Sequence, residues 1–327
     1  MVTESGSIDR LDLRLVSALE VDGRASFSRI GAVLGVSDQT VARRYRRLCA
    51  EGGLRVVAVR DATRLGQDQW MLRLRCAPDS ALAIADALAK RPDTYWIGLA
   101  SGGTEVLCLT RPRSLGDHDD LLLGKLPRTP SVVEIRAHQL LHRFYGGVNG
   151  WVRKLGALTD DQILALAGPP SPAAPGEARI DPQDEPLLAV LERDGRATHP
   201  ELMRAGGRSE SAVKRRLGAL LASGAVYIDI EYDSAIFGRS VAAVLWITTA
   251  PAALHRVGEA LAAHREIAHV SATAGPSNIV ATVLTRNTAD LYAYLSGPLG
   301  RLEGVRHVET TPFLRRVKQL TYPLPSR

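Results

Sequence analysis

Over the first fifty positions apolar residues recur at three- and four-residue steps. Ile8, Leu11, Leu15, Val16 and Leu19 predict an amphipathic helix from Asp9 to Asp22, which Gly23 ends. Ser26 is placed to cap a second helix carrying Ile30, Val33 and Leu34, and Gly35-Val36 makes a short turn before Ser37 caps a third. In that third helix Val41, Tyr45 and Leu48 form the inward stripe. At about 100° per residue, Gln39, Arg43 and Arg46 lie opposite, flanked by Thr40 and Arg47. After Gly52-Gly53, residues Leu54 to Val59 read as a strand serving as wing and connector.

The period then changes. Trp70–Cys76, Tyr95–Leu99, Glu105–Thr110 and Val132–Phe144 read as strands, with amphipathic helices over Asp79–Lys90 and Leu115–Leu123. The order β-α-β-β-α-β is the ferredoxin-like pattern, in which both helices cover one sheet face and the other must find a partner. A second run repeats it: Val241–Thr248, Pro251–His264, Ile267–Thr273, Ile279–Thr285, Thr288–Leu299 and Val305–Val317.

The repetition extends to the residues themselves. Leu19-Glu20-Val21-Asp22-Gly23-Arg24-Ala25-Ser26 returns 172 positions later as Leu191-Glu192-Arg193-Asp194-Gly195-Arg196-Ala197-Thr198. At the same spacing Asp9 answers Asp181, Asp12 answers Asp184, Ser37 answers Ser209, Arg43-Arg44 answers Arg215-Arg216, and Gly66 answers Gly238. Codon bias supplies composition without order, so this register points to a duplication. The fold class expected is α+β, two copies of a winged helix-turn-helix each followed by a ferredoxin-like βαββαβ domain. The expected boundaries are 1–60 and 61–150 for the first copy, 151–178 for a Pro-rich linker, and 179–232 and 233–327 for the second copy. The run Gly168 to Gly176 holds four prolines and reads as an extended spacer.

Charge adds a partner. The chain carries net +6, permitting phosphate attraction, and the arginines of the third helix concentrate it on one surface. A helix about 10–12 Å across fits the major groove of double-stranded DNA, where arginine pairs with guanine and glutamine with adenine. Gln39 and Arg43 are the expected base readers, Thr40, Arg46 and Arg47 suit phosphates, and Ser37 and Arg44 complete the DNA-binding candidates of this head. The second copy is degenerate: Gly206 stands where Leu34 was, Arg208 for Val36, and Gly218-Ala219 for Arg46-Arg47. Ser211, Lys214 and Arg215 are its remaining DNA-binding candidates, so the first module is expected to dominate affinity. Three cysteines without paired spacing indicate neither disulfides nor zinc, and no apolar stretch suits secretion or a membrane span. A cytoplasmic location is expected.

Ile8-Asp9-x-x-Asp12, Asp22-Gly23-Arg24, Ser37 and a connector ending at Leu65-Gly66, followed by β-α-β-β-α-β, resemble the leucine-responsive regulator (Lrp/AsnC) family, twice over nearly the whole chain. The resemblance implies a transcriptional regulator that senses an amino acid or related small metabolite through its second (RAM) module. It also implies that one tandem chain equals a family dimer, an intrachain pseudo-dimer, with further homo-oligomerisation left open. The effector loops of the family match Gly102, Gly103, Thr104 and Glu105 in one copy and Gly275, Pro276, Ser277 and Asn278 in the other, both departing from the family's Gly and Asp. A plain glycine turn is the competing reading of each loop.

Sirohaem decarboxylases wear the same architecture and depend on gathered His and Arg residues. His138 and His142, four apart on a strand, are expected on one face. His255, His264, His269 and His307 have no metal-ligand spacing. No phosphate loop, nucleophile elbow or carboxylate pair stands out, so no enzyme activity, cofactor or metal is expected.

Overall fold

The computed structural model describes residues 8–113, 117–167 and 178–321. In chain order its elements are α1 (Arg10–Val21), α2 (Phe27–Leu34), α3 (Asp38–Glu51), β1 (Arg55–Arg60), β2 (Gln69–Cys76), α4 (Ala81–Ala89), β3 (Thr94–Ala100), β4 (Glu105–Thr110), α5 (Asp117–Asp119) with a π-helical turn Asp120–Lys125, and β5 (Val132–Tyr145). A 3-10 turn Trp151–Leu155, α6 (Asp160–Ala167), α7 (Glu185–Leu191), α8 (His199–Gly206), α9 (Glu210–Ala222) and β6 (Val226–Glu231) follow. The chain ends in β7 (Val241–Thr249), α10 (Leu254–Ala263), β8 (Ile267–Thr273), β9 (Ile279–Thr285), α11 (Thr288–Tyr294) and β10 (Val305–Lys318). These fall into two compact units, Met1–Leu65 with Gly147–Gly238, and Gly66–Gly146 with Arg239–Arg327. No helix among the described residues is long and apolar enough to cross a membrane.

The first unit holds two trihelical heads, α1–α3 and α7–α9, joined by the antiparallel pair β1–β6 from Arg55↔Glu231 to Arg60↔Val226. Each helix starts where a side chain can take an unpaired amide. Asp9 and Asp12 form a reciprocal box at α1, and Asp181 and Asp184 do the same ahead of α7. Ser26 and Thr198 cap α2 and α8, whose ends turn at left-handed Gly35 and Gly207. Ser37 and Ser209 cap α3 and α9.

Buried Asp12 then receives Arg44 at 2.8 Å and also Arg47, tying α3 to the start of α1. Asp184, 1% exposed, receives Arg216 at 2.9 Å and Arg208 at 3.5 Å. Arg208 therefore replaces an apolar residue of the turn with a guanidinium that does the work Arg47 does in the other head. Gly206 is the last residue of α8, not an interior one, so its cost to the helix is small.

The heads also exchange arginines. Arg24 donates to the carbonyl oxygens of Gly195 (2.5 Å) and Ala197 (3.0 Å), while Arg196 donates to those of Gly23 (2.6 Å) and Ala25 (2.9 Å). Glycine is required at the crossing: a Cβ on Gly23 would sit 2.5 Å from Ile228 Cγ2, and one on Gly195 would sit 3.0 Å from the Val57 backbone.

The interval 151–178, expected as linker, is helical in its described first part. Buried Glu20 accepts from the amides of Val152 (3.0 Å) and Arg153 (2.6 Å), Gln162 Nε2 donates to Val33 O, and Arg29 donates to Ala165 O. Trp151 is 2% exposed, so this stretch belongs to the first head's packing. The proline run 168–176 lies outside the described residues.

The second unit is a closed eight-stranded barrel, ordered β10-β3-β4-β2-β5-β8-β9-β7. Each βαββαβ half packs its helices outside, against Leu72, Leu74 and Val106 in one half and Leu245, Val270 and Val283 in the other. The inward faces meet through Met71, Leu107, Leu109, Val244, Trp246 and Val280. The long strands β5 and β10 cross from one half to the other, pairing β2 and β8, and β7 and β3. Each sheet thus buries the other's uncovered face and leaves no edge unpaired.

Candidate functional site

In the first head Gln39 and Arg43 stand exposed on α3 with no side-chain partner among the described residues. Ser37 accepts from Thr40 N, its hydroxyl lying 2.9 Å from that of Thr40, and Arg46 Nε donates to Ala42 O of its own helix. Arg44 and Arg47, both expected among the DNA contacts, are engaged with Asp9 and Asp12. The reason is electrostatic: a wholly buried carboxylate at the helix start requires cations, and these two are in reach. Arg47 still has 45% of its side chain in solvent, whereas Arg44 has 20%. The same ion pairs hold the Asp9 carboxyl below its usual range, after the Asp12 amide that contributes most.

The second head presents less. Arg215 is exposed without a partner among the described residues. Lys214 is drawn to Glu210 one turn earlier at 2.7 Å, and the Ser211 hydroxyl lies 3.2 Å from that of Ser209. Ala212 and Ala219 line a cleft of about 470 Å³ whose other walls are Gln183, Arg208, Arg215 and Arg216.

The two expected effector loops are glycine turns at equivalent places in the barrel. Gly102, Gly103 and Gly275 adopt positive φ of 68°, 90° and 119°. Thr104 Oγ1 donates to Ser101 O, and Thr273 Oγ1 to Ser277 O. Glu105 accepts from Arg73 Nε (2.8 Å) and Ser101 Oγ (2.9 Å), and Asn278 exchanges hydrogen bonds with the Thr249 backbone at 2.8 and 3.0 Å. Every polar side chain of either loop that was expected to meet a ligand already has a protein partner, except Ser277, whose backbone is the group engaged.

Between the loops the barrel interior carries a cluster that residue spacing did not reveal. Arg73 Nη1 and Nη2 grip Glu309 at 3.0 and 2.7 Å, and its guanidinium lies 4.6 Å from the Trp246 ring. Trp246 Nε1 donates to Thr311 Oγ1, and the His138 ring sits 4.8 Å from the Trp246 ring. His138 is 3% exposed, and neither ring nitrogen makes a well-aligned hydrogen bond among the described residues. Burial foremost pushes its pKa down against the Ala274 backbone close by, and the charges of Arg73 and Arg136 add to the shift. Gly275 is the neighbour that makes room, since a Cβ there would come within 2.7 Å of His138 Nδ1.

His142 does not share that face. The register of β5 shifts between Leu140 and His142, and the extra residue turns the alternation over. His142 packs instead against Phe144 (4.6 Å) and near His255 of α10 (6.2 Å) on the helix side. Elsewhere His264 pairs with the Tyr294 hydroxyl and His269 with Ser271. No group of three His, Cys, Asp or Glu residues arranged for a metal ion occurs among the described residues.

Residues 8–48 match the AsnC-type helix-turn-helix domain, and residues 242–323 match the Lrp/AsnC ligand binding domain. The HTH-type transcriptional regulator LrpA of Pyrococcus horikoshii is 28% identical over 140 residues, covering 42% of this chain and 99% of that one. The regulator FL11 of the same organism is 27% identical over 143 residues, 43% of this chain and 94% of its own. Among solved structures, the siroheme decarboxylase NirDL in complex with an iron-uroporphyrin III analogue superposes with a TM-score of 0.64 at 12% identity, covering 96% of this chain and 94% of that chain. NirDL alone gives 0.62, also at 12% identity, over 97% and 95%. The expectation that no enzyme activity attaches to this chain is thereby overturned, because the fold it has over nearly its full length is that of an enzyme.

Proposed function

From the premise that this chain is built of Lrp/AsnC-family domains, we propose that it is a cytoplasmic transcriptional regulator whose two heads are a tandem helix-turn-helix pair on double-stranded DNA. The reading rests on one observation above all: Gln39 and Arg43 project, exposed and unpartnered, from a helix fixed by charged pairs behind it. A helix so held loses little freedom on entering the major groove, and its two free groups match adenine and guanine edges. An effector of the amino-acid class would act at the Gly102–Gly103 or Gly275 turns, and in the first it would compete with Arg73 for Glu105. The test is fluorescence anisotropy with genomic fragments. Arg43→Ala is expected to weaken binding at least tenfold, and wild-type affinity to fall with salt by about 0.9 log unit per log unit for each phosphate contacted. A chain indifferent to every fragment at low ionic strength overturns the proposal.

A second reading is favoured by the barrel cluster. NirDL carries the same fold and accepts an iron tetrapyrrole analogue. Here Arg136, half exposed and opposite Arg73 in the strand register, offers charge to a tetrapyrrole carboxylate, and His138 offers buried ring nitrogens with no well-aligned partner among the described residues. Adding sirohaem to the purified chain should then shift its visible absorption, and His138→Ala should abolish the shift. An unchanged spectrum in the wild type removes this reading.

A further inference from the structure

We infer that the DNA target of this chain is asymmetric: both half-sites share a guanine contact, and only one carries a discriminated neighbouring base pair. The inference rests on the DNA-binding reading above. The argument begins with what the two heads have in common. The same caps, the same Asp-x-x-Asp clasp and the Arg24–Arg196 exchange hold both in one compact unit. α3 and α9 are therefore presented as equivalents, and whatever groove position Arg43 reaches, Arg215 reaches in the other half. Both guanidiniums are exposed and unpartnered among the described residues.

The rest of the two surfaces differs in chemistry. Gln39, able to give and accept hydrogen bonds at an adenine, is matched by Ser211, which is shorter and lies 3.2 Å from its neighbour's hydroxyl. Thr40 is matched by Ala212, and Arg46-Arg47 by Gly218-Ala219. Ala212 and Ala219 line the cleft of about 470 Å³, to which α9 contributes Arg215 and Arg216 as its long side chains, while Lys214 of the same helix is drawn to Glu210. Arg208 and Arg216, which border it, are already committed to Asp184. The second head thus keeps one reader, and the first keeps two.

Selection of bound duplexes from a random library tests this directly. The expected product is an imperfect palindrome: a guanine in both halves, and an adenine preferred about tenfold or more beside it in one half alone. Gln39→Ala, a change at an exposed position, should erase that preference while leaving both guanines. Ser211→Gln should add the missing preference to the other half. Recovery of a symmetric site from the wild-type chain, discriminated equally in both halves, overturns the inference while the DNA-binding reading stands. Failure to recover any duplex at low ionic strength overturns that reading, and this inference falls with it.

Discussion

The paired heads and the barrel both carry the residue repeat seen in the sequence, yet they differ in what its two runs share. In the heads, charged residues that hold helices together recur in both copies, and the exposed residues have diverged. Where the counterpart of the clasp arginine Arg47 is lost at position 219, Arg208 appears and contacts Asp184, the carboxylate equivalent to Asp12. Inside the barrel the reverse holds. By strand register, Arg73, opposite Leu107 and Arg136, is equivalent to Trp246, opposite Val280 and Glu309. One copy contributes a cation and the other an aromatic ring, and the two contact each other. A buried ion pair must be kept whole because half of it is costly, whereas two inward positions that meet each other can specialise.

Four substitutions press on that contrast. The largest effect is expected from Arg73→Met, which strands Glu105 inside the barrel and should cost about 3–5 kcal/mol in urea unfolding. The equivalent Trp246→Met removes area without stranding a charge and should cost about 2 kcal/mol. Equal losses would show that the two positions had not specialised. Next, Asp12→Asn and Asp184→Asn should each cost about 2 kcal/mol, because their arginines stay partly solvated. A loss at Asp12 alone would mean that Arg208 does not substitute for Arg47.

An effect of another kind, a pH dependence, concerns Glu20, whose counterpart Glu192 is paired with Arg60 at 2.8 Å. Glu20 has no arginine at its carboxylate in this way among the described residues; burial first, then the charge of Asp229, pushes its pKa up to about 8 against the pull of two amides and of the Arg153 charge. Its folded value exceeds its unfolded one, so the stabilisation is complete below about pH 4.5 and is lost as pH rises through about 8. The melting temperature should fall across that window, and Glu20→Gln should flatten the profile. A wild-type profile already flat over this range would contradict it.

Helices and strands were legible because apolar spacing reports them directly, and the repeat displayed itself in residues such as Arg24 and Arg196. Their reciprocal contact was not legible, since identical letters in two copies carry no record of crossing. The helical stretch at 160–167 was hidden behind the prolines that follow it. Its signal was present, as Thr159 and Gln162 form a capping box ahead of Ile163 and Leu166. The parting of His138 from His142 depends on a one-residue bulge in β5, which strict alternation along a strand does not announce. The candidate DNA readers followed from helix geometry, but the division of arginines between clasp and groove required knowing which carboxylates are buried.

The crossed arginines at Gly23 and Gly195 bear on how such a protein behaves when scarce. Two separate polypeptides held by contacts of this kind would part on dilution and could trade partners with relatives in the same cell. Here both halves of the contact are covalently joined, so each remains at high effective concentration to the other whatever the copy number. A single molecule arrives at its target already paired, and always with the same unequal partner.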